Sequence, residues 1–195
     1  MSAQWSDPFA DAAGWVPRPP PAIVPRPAAA QRSLRGWRVL TGVPGHGWRG
    51  DLRADNAVVQ GSRTLVPVLP EAEWYRAETD RVEVFAPLVP VERVWVETVA
   101  AADTPTPISR LVSLDQPPPR APVPVLDAGT VAGRRLAWRH EDRFVRDLRA
   151  VSEIHDGTEG EVCVRVAAEL DWYRWAWSGA PPKTRALAVS TLWLE

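Results

Sequence analysis

One cysteine, one lysine, three histidines and two tyrosines in 195 residues leave little material for several kinds of chemistry. The single cysteine, Cys163, excludes an intrachain disulfide and a cysteine-ligated metal cluster, which suits a reducing compartment. The histidines, His46, His140 and His155, are too scattered for a ligand pair. Neither sign of charge dominates: 23 basic residues face 24 acidic ones, so net charge draws the chain to neither nucleic acid nor an anionic membrane. No apolar run approaches the ~18 residues of a membrane-spanning helix. The first residues, MSAQWSDPFADAAGW, lack the basic segment and apolar core of a secretory signal. A cytoplasmic protein, without membrane association, is the expectation. Also missing are a nucleophile elbow, a phosphate-binding loop and the paired histidines of a zinc protease, so no cofactor, metal ligand or catalytic residue is indicated.

What is abundant is proline (21), tryptophan (11) and arginine, in a chain that is 45% hydrophobic and able to build a core. The two tyrosines lie in EAEWYRAE (71–78) and ELDWYRWA (169–176), each between a tryptophan and an arginine. Trp74 and Trp172 are 98 residues apart, as are Trp95-Val96-Glu97 and Trp193-Leu194-Glu195, and the segments between align without a gap. Upstream, Asp51-Leu52-Arg53-Ala54 recurs as Asp147-Leu148-Arg149-Ala150 with an offset of 96, which sets Trp48 on Phe144. Such a period is too long for solenoid or propeller units and indicates a duplicated small domain.

The repeat places copy one at 36–97 and copy two at 133–195. Outside them, an arm (1–35) and a linker (98–132) hold seven prolines each. PRPPPAIVPRP and DQPPPRAPVPV favour extended polyproline II and offer too few N–H donors for helix or sheet. Within copy two the pattern predicts strands at 134–140, 143–151, 162–174 and 188–194. Residues 141–155 also fit an amphipathic helix, but the three glycines at the matching place in copy one favour strand. Four or five short strands joined by tight turns in some 60 residues resemble a small SH3-like barrel, a likeness of pattern that rests on no family motif. The fold class expected is all-β: two tandem, internally duplicated barrels, a proline-rich linker and an extended arm. Domains this small are marginal alone, so tryptophan packing or contact between the barrels is expected to support them.

Few residues then stand out. The acidic pair Glu71 and Glu73 recurs as Glu169 and Asp171; it reads as a solvated strand end, with cation binding or acid–base work as the less favoured use. Trp-Tyr-Arg reads as core, with either Trp74 or Tyr75 facing inward. Trp175 and Trp177 replace Ala77 and Thr79 of copy one and therefore suggest an interface the common fold does not need. Residues 133–150 hold six arginines against three acids, so Arg134, Arg135, Arg139 and Arg143 join Trp175 and Trp177 as a candidate interaction surface. Trp15, Arg18, Pro19, Pro20 and Pro21 form a candidate docking arm. The function these features favour is non-catalytic assembly, with protein partners that are copies of the chain or other subunits, as in a phage-like particle or another large bacterial assembly. The rival is nucleic-acid binding through the arginine-rich start of copy two, and an enzyme with its site between the barrels is the third reading.

Overall fold

The computed structural model describes residues 18–43, 45–101, 115–157 and 160–195. It is all-β apart from short helices, with two seven-stranded antiparallel sheets, one per copy. In the first half the order of elements is β1 (Ile23–Pro27), β2 (Arg38–Val43), β3 (Gly47–Ala54), β4 (Val58–Gln60), β5 (Arg63–Pro70), α1 (Glu71–Asp80), β6 (Leu88–Pro90) and β7 (Val94–Val99). The second half repeats it: β8 (Val123–Pro124), β9 (Arg135–His140), β10 (Arg143–Ala150), β11 (His155–Asp156), β12 (Val162–Ala168), α2 (Glu169–Ser178), β13 (Arg185–Ala188) and β14 (Leu192–Leu194). Spatially the sheets read β1-β7-β2-β3-β5-β4 and β8-β14-β9-β10-β12-β11, with β6 on β5 and β13 on β12.

Each sheet curls round its own core, and the two cores use the same positions. Val39, Ala54, Val66 and Val96 fill the first; Leu136, Ala150, Val164 and Leu194 fill the second. Trp48 meets Trp95 edge-on at 6.2 Å, and Phe144 meets Trp193 edge-on at 5.8 Å, so the aromatic match of the repeat is a contact made twice. Cys163 is a buried core residue of β12. Residues 143–150 are a strand, with a bulge in the β9–β10 register that places Asp147 at φ 60. Copy one bulges at the same place, with Asp51 at φ 54.

Three expectations need correction. The strand drawn through 162–174 stops at Ala168, and Trp-Tyr-Arg lies in a helix in both copies. The acidic residues spaced by two are first-turn charges, where the exposed N–H groups of a helix favour a carboxylate. Secondly, the last strand of copy two is broken by a 3-10 turn at Val189–Thr191, matched by Val91–Arg93.

Thirdly, the proline-rich stretches do contribute strands: β1 pairs with β7 and β8 with β14. Their register explains how. Ile23 N–H points away from β7 and donates to Arg120 O at 2.9 Å. Pro25 and Pro27 share that parity, so the donors they lack belong to the free edge rather than to the ladder. Pro122 and Pro124 stand in the same relation to Arg120, whose N–H donates back to Ile23 O at 2.9 Å. Ile23 and Arg120 are equivalent residues, each five positions before a 3-10 turn, at Ala28–Ala30 or Val125–Asp127. Equivalent residues that exchange both hydrogen bonds mark a local twofold axis.

Candidate functional site

The halves meet along that axis through the residues the repeat retains. Glu71 and Glu169 open α1 and α2 and are 1% exposed. Around them lie Arg38 and Arg135, at matched positions on β2 and β9, and Arg53 and Arg149, on β3 and β10. Glu71 accepts from Arg38 Nε at 3.1 Å within its half and from Arg135 Nη2 at 2.9 Å and Arg149 Nη2 at 3.0 Å across the axis; Arg53 Nε lies 3.5 Å away. Glu169 mirrors this, with Arg149 Nε at 2.9 Å and Arg135 Nε at 3.4 Å on its own side and Arg53 Nη2 at 3.3 Å and Arg38 across.

The tyrosines close the arrangement. Tyr75 and Tyr173 stack on each other with ring centroids 5.4 Å apart. Tyr75 OH donates to Glu169 at 3.1 Å, and Tyr173 OH donates to Glu71 at 3.0 Å. At the mouth, exposed Asp147 takes Arg38 at 2.5 Å, and exposed Asp51 takes Arg135 at 3.0 Å and Arg149 at 3.2 Å. Four guanidiniums thus face four carboxylates, and the cluster is neutral as a unit. Outside it, Trp74 and Trp172 lie over Gly36 and Gly133, both at φ 77, where a Cβ would sit 3.8 and 3.7 Å from the ring.

Electrostatics follow from this closeness. Burial opposes charge on Glu169, but Arg38, Arg135 and Arg149 outweigh it and hold the carboxyl down at about 2. Burial and the neighbouring Glu169 push the Tyr75 phenol up; burial and Glu71 do the same for Tyr173, so both stay protonated donors. Burial works against Arg38, Arg135 and Arg149 too, yet the anionic partners raise all three. Glu169 is therefore no proton acceptor near neutrality, and both glutamates have their oxygens committed to arginine and tyrosine.

A cleft of about 380 Å³ opens beside the cluster, between Arg35 and Trp37 of one half and Arg146 and Glu195 of the other. Arg146 pairs with Glu195 and donates to Pro21 O at 3.0 Å; burial and the nearby Arg38 charge lower it. Across the axis, Arg120 and Arg135 both reach Glu97. Among the described residues, no group of three or more His, Cys, Asp or Glu side chains could hold a metal ion, and no helix is long and apolar enough to cross a membrane.

The candidates from sequence scatter. Trp15 lies outside the described residues. Arg18 and Pro19 are exposed, Pro20 is buried and Pro21 is half-buried. Trp175 is 40% exposed and Trp177 half-buried on α2. Arg134 and Arg143 are exposed and Arg139 is half-buried, but Arg135 is 6% exposed and belongs to the ion cluster rather than to an outer surface. Among the described residues, Glu71 and Glu169, expected to be solvated, are the most buried carboxylates, and each has four arginines within reach. No family model matches the chain, and no significant match exists among curated proteins or solved structures.

Proposed function

We propose that the chain is a non-catalytic protein–protein interaction protein: two SH3-like barrels fused into a pseudo-dimer that serves in a larger assembly in the cytoplasm. In each half, a meander whose first strand pairs with its last, with a 3-10 turn before that last strand, supports the SH3-like description. The observation that carries the assembly reading is the exposed apolar surface of α2. There Trp175 and Leu170 are each 40% exposed, where copy one has Ala77 and Ala72. The fold is built twice and needs these apolar side chains once, so their use lies outside the fold. By contrast, the polar groups gathered at the axis are spent on joining the halves.

The nucleic-acid reading loses most of its support from the same geometry. Of the six arginines in 133–150, Arg135 and Arg149 are buried in the cluster and Arg146 is paired with Glu195. Arg134, Arg139 and Arg143 remain, with the exposed acids Glu141 and Asp142 beside them in sequence. Binding to single- and double-stranded DNA and RNA, titrated against salt, decides between the two readings. Only weak, steeply salt-dependent binding is expected, and tight binding near physiological salt would overturn assembly as the primary role. Light scattering over a concentration series then tests the surface. Self-association should fall with Trp175→Ala or on deletion of residues 1–17, and a monomer indifferent to both changes contradicts the reading.

A further inference from the structure

The axis has a consequence beyond joining two halves of one molecule. We propose that the Arg–Glu–Tyr face of each half also docks a second copy of this chain, by exchange of halves between two molecules. The inference rests on the assembly reading and names its partner. Within the Arg–Glu–Tyr cluster, each residue that reaches across the axis has an equivalent reaching back: Arg38 with Arg135, Arg53 with Arg149, Glu71 with Glu169, Tyr75 with Tyr173 and Asp51 with Asp147. The face that copy one presents to copy two of its own chain is therefore the face it presents to copy two of any chain. Nothing in these contacts records which chain supplied the partner.

One unmatched position selects the pairing, and a second differs beside it. Arg120 occupies the place of Ile23, and Arg146 the place of Gly50. If copy one met copy one, Glu97 would face Ile23 and lose its Arg120 partner. If copy two met copy two, Arg120 would face Arg120 at the axis. Only a copy-one face on a copy-two face keeps the Arg120–Glu97 ion pair. In the intact chain both halves lie on one polypeptide, and such linkage supplies an effective concentration on the order of millimolar. Closure within one chain wins in dilute solution, and exchange competes where closure is weakened or the chain is concentrated in an assembly.

Complementation of full-length chains tests this. Glu71→Arg spoils the face of copy one and leaves copy two native; Glu169→Arg does the reverse. Each variant alone should elute with the mass of one chain in size-exclusion chromatography with light scattering. An equimolar mixture should shift to twice that mass, because copy two of the first meets copy one of the second in a native interface. A mixture that keeps the one-chain mass, with both variants retaining β-sheet circular dichroism, overturns the proposal. If either buried substitution abolishes that signal, Arg38→Glu and Arg135→Glu replace the pair, and the same shift or its absence decides. A failed mixture leaves the Trp175 test unaffected, so the exchange and the assembly reading fall separately.

Discussion

At the scale of single residues, the molecule depends most on two glutamates that sequence alone makes unremarkable. Each is buried among four arginines, and removing one partner of a buried ion cluster leaves uncompensated charge. Glu71→Ala and Glu169→Ala should each cost about 3–5 kcal/mol in urea unfolding, and by symmetry the two costs should agree within about 1 kcal/mol. A large cost for one and none for the other would break the equivalence. The Glu169 carboxyl adds a pH dependence of known sign. Its folded value, about 2, lies below the ordinary 4.5, so its contribution is present above about pH 4.5 and is lost as pH falls toward 2. That contribution is on the order of 3 kcal/mol. The stability gap between the native chain and Glu169→Gln should therefore narrow from pH 5 toward pH 2; a gap that stays constant contradicts it. Both glutamates were visible in the alignment as matched acids. What hid their role is that matching marks a position as constrained without saying by what. Surfaces of duplicated domains are free to diverge, so a polar set retained in both copies, Asp51, Arg53, Glu71 and Tyr75 with their equivalents, is the signature of faces that meet.

At the scale of elements, the alternation of Val162, Val164 and Val166 gave a strand truly enough, but the pattern was carried too far. From Glu71 and Glu169 onward the residues are helix formers with acids in the first turn, and the run is only 10 residues in each copy. Over so short a span, period 2 and period 3.6 are hard to tell apart around one Trp-Tyr pair. The helix ends differ instructively. Gly179 closes α2 at φ 71, with its N–H bonded to Trp175 O at 3.0 Å, whereas Arg81 closes α1 at φ 53. A side chain in that region is strained, so Gly179→Ala should lose about 1 kcal/mol and Arg81→Gly should gain about 0.5–1 kcal/mol in thermal unfolding. Equal effects of the same sign would show that the two caps are not as described. The proline-rich strands are illegible for another reason: proline spacing alone shows a loss of donors, whereas parity turns the donors missing at Pro25, Pro27, Pro122 and Pro124 toward the sheet edge.

At the scale of the whole molecule, the repeat exposes the duplication and the strand patterning the all-β class, while the twofold meeting of the halves needed three dimensions. The arginine-rich opening of copy two resembles an outer charged surface because the carboxylate partners of Arg135 and Arg149 sit 64 to 98 residues away in copy one, at Asp51 and Glu71. The consequence is two halves joined face to face through a shared ion cluster. The local axis passes between Ile23 and Arg120, and a hydrogen-bonded antiparallel pair holds its Cα atoms about 5.5 Å apart, within disulfide range. The most direct test is Ile23→Cys with Arg120→Cys in the full chain, oxidised and read by thiol titration and non-reducing electrophoresis. The account predicts that both introduced thiols are consumed in an intrachain disulfide that raises Tm. Two thiols that stay free under oxidising conditions, in a folded protein, would contradict it.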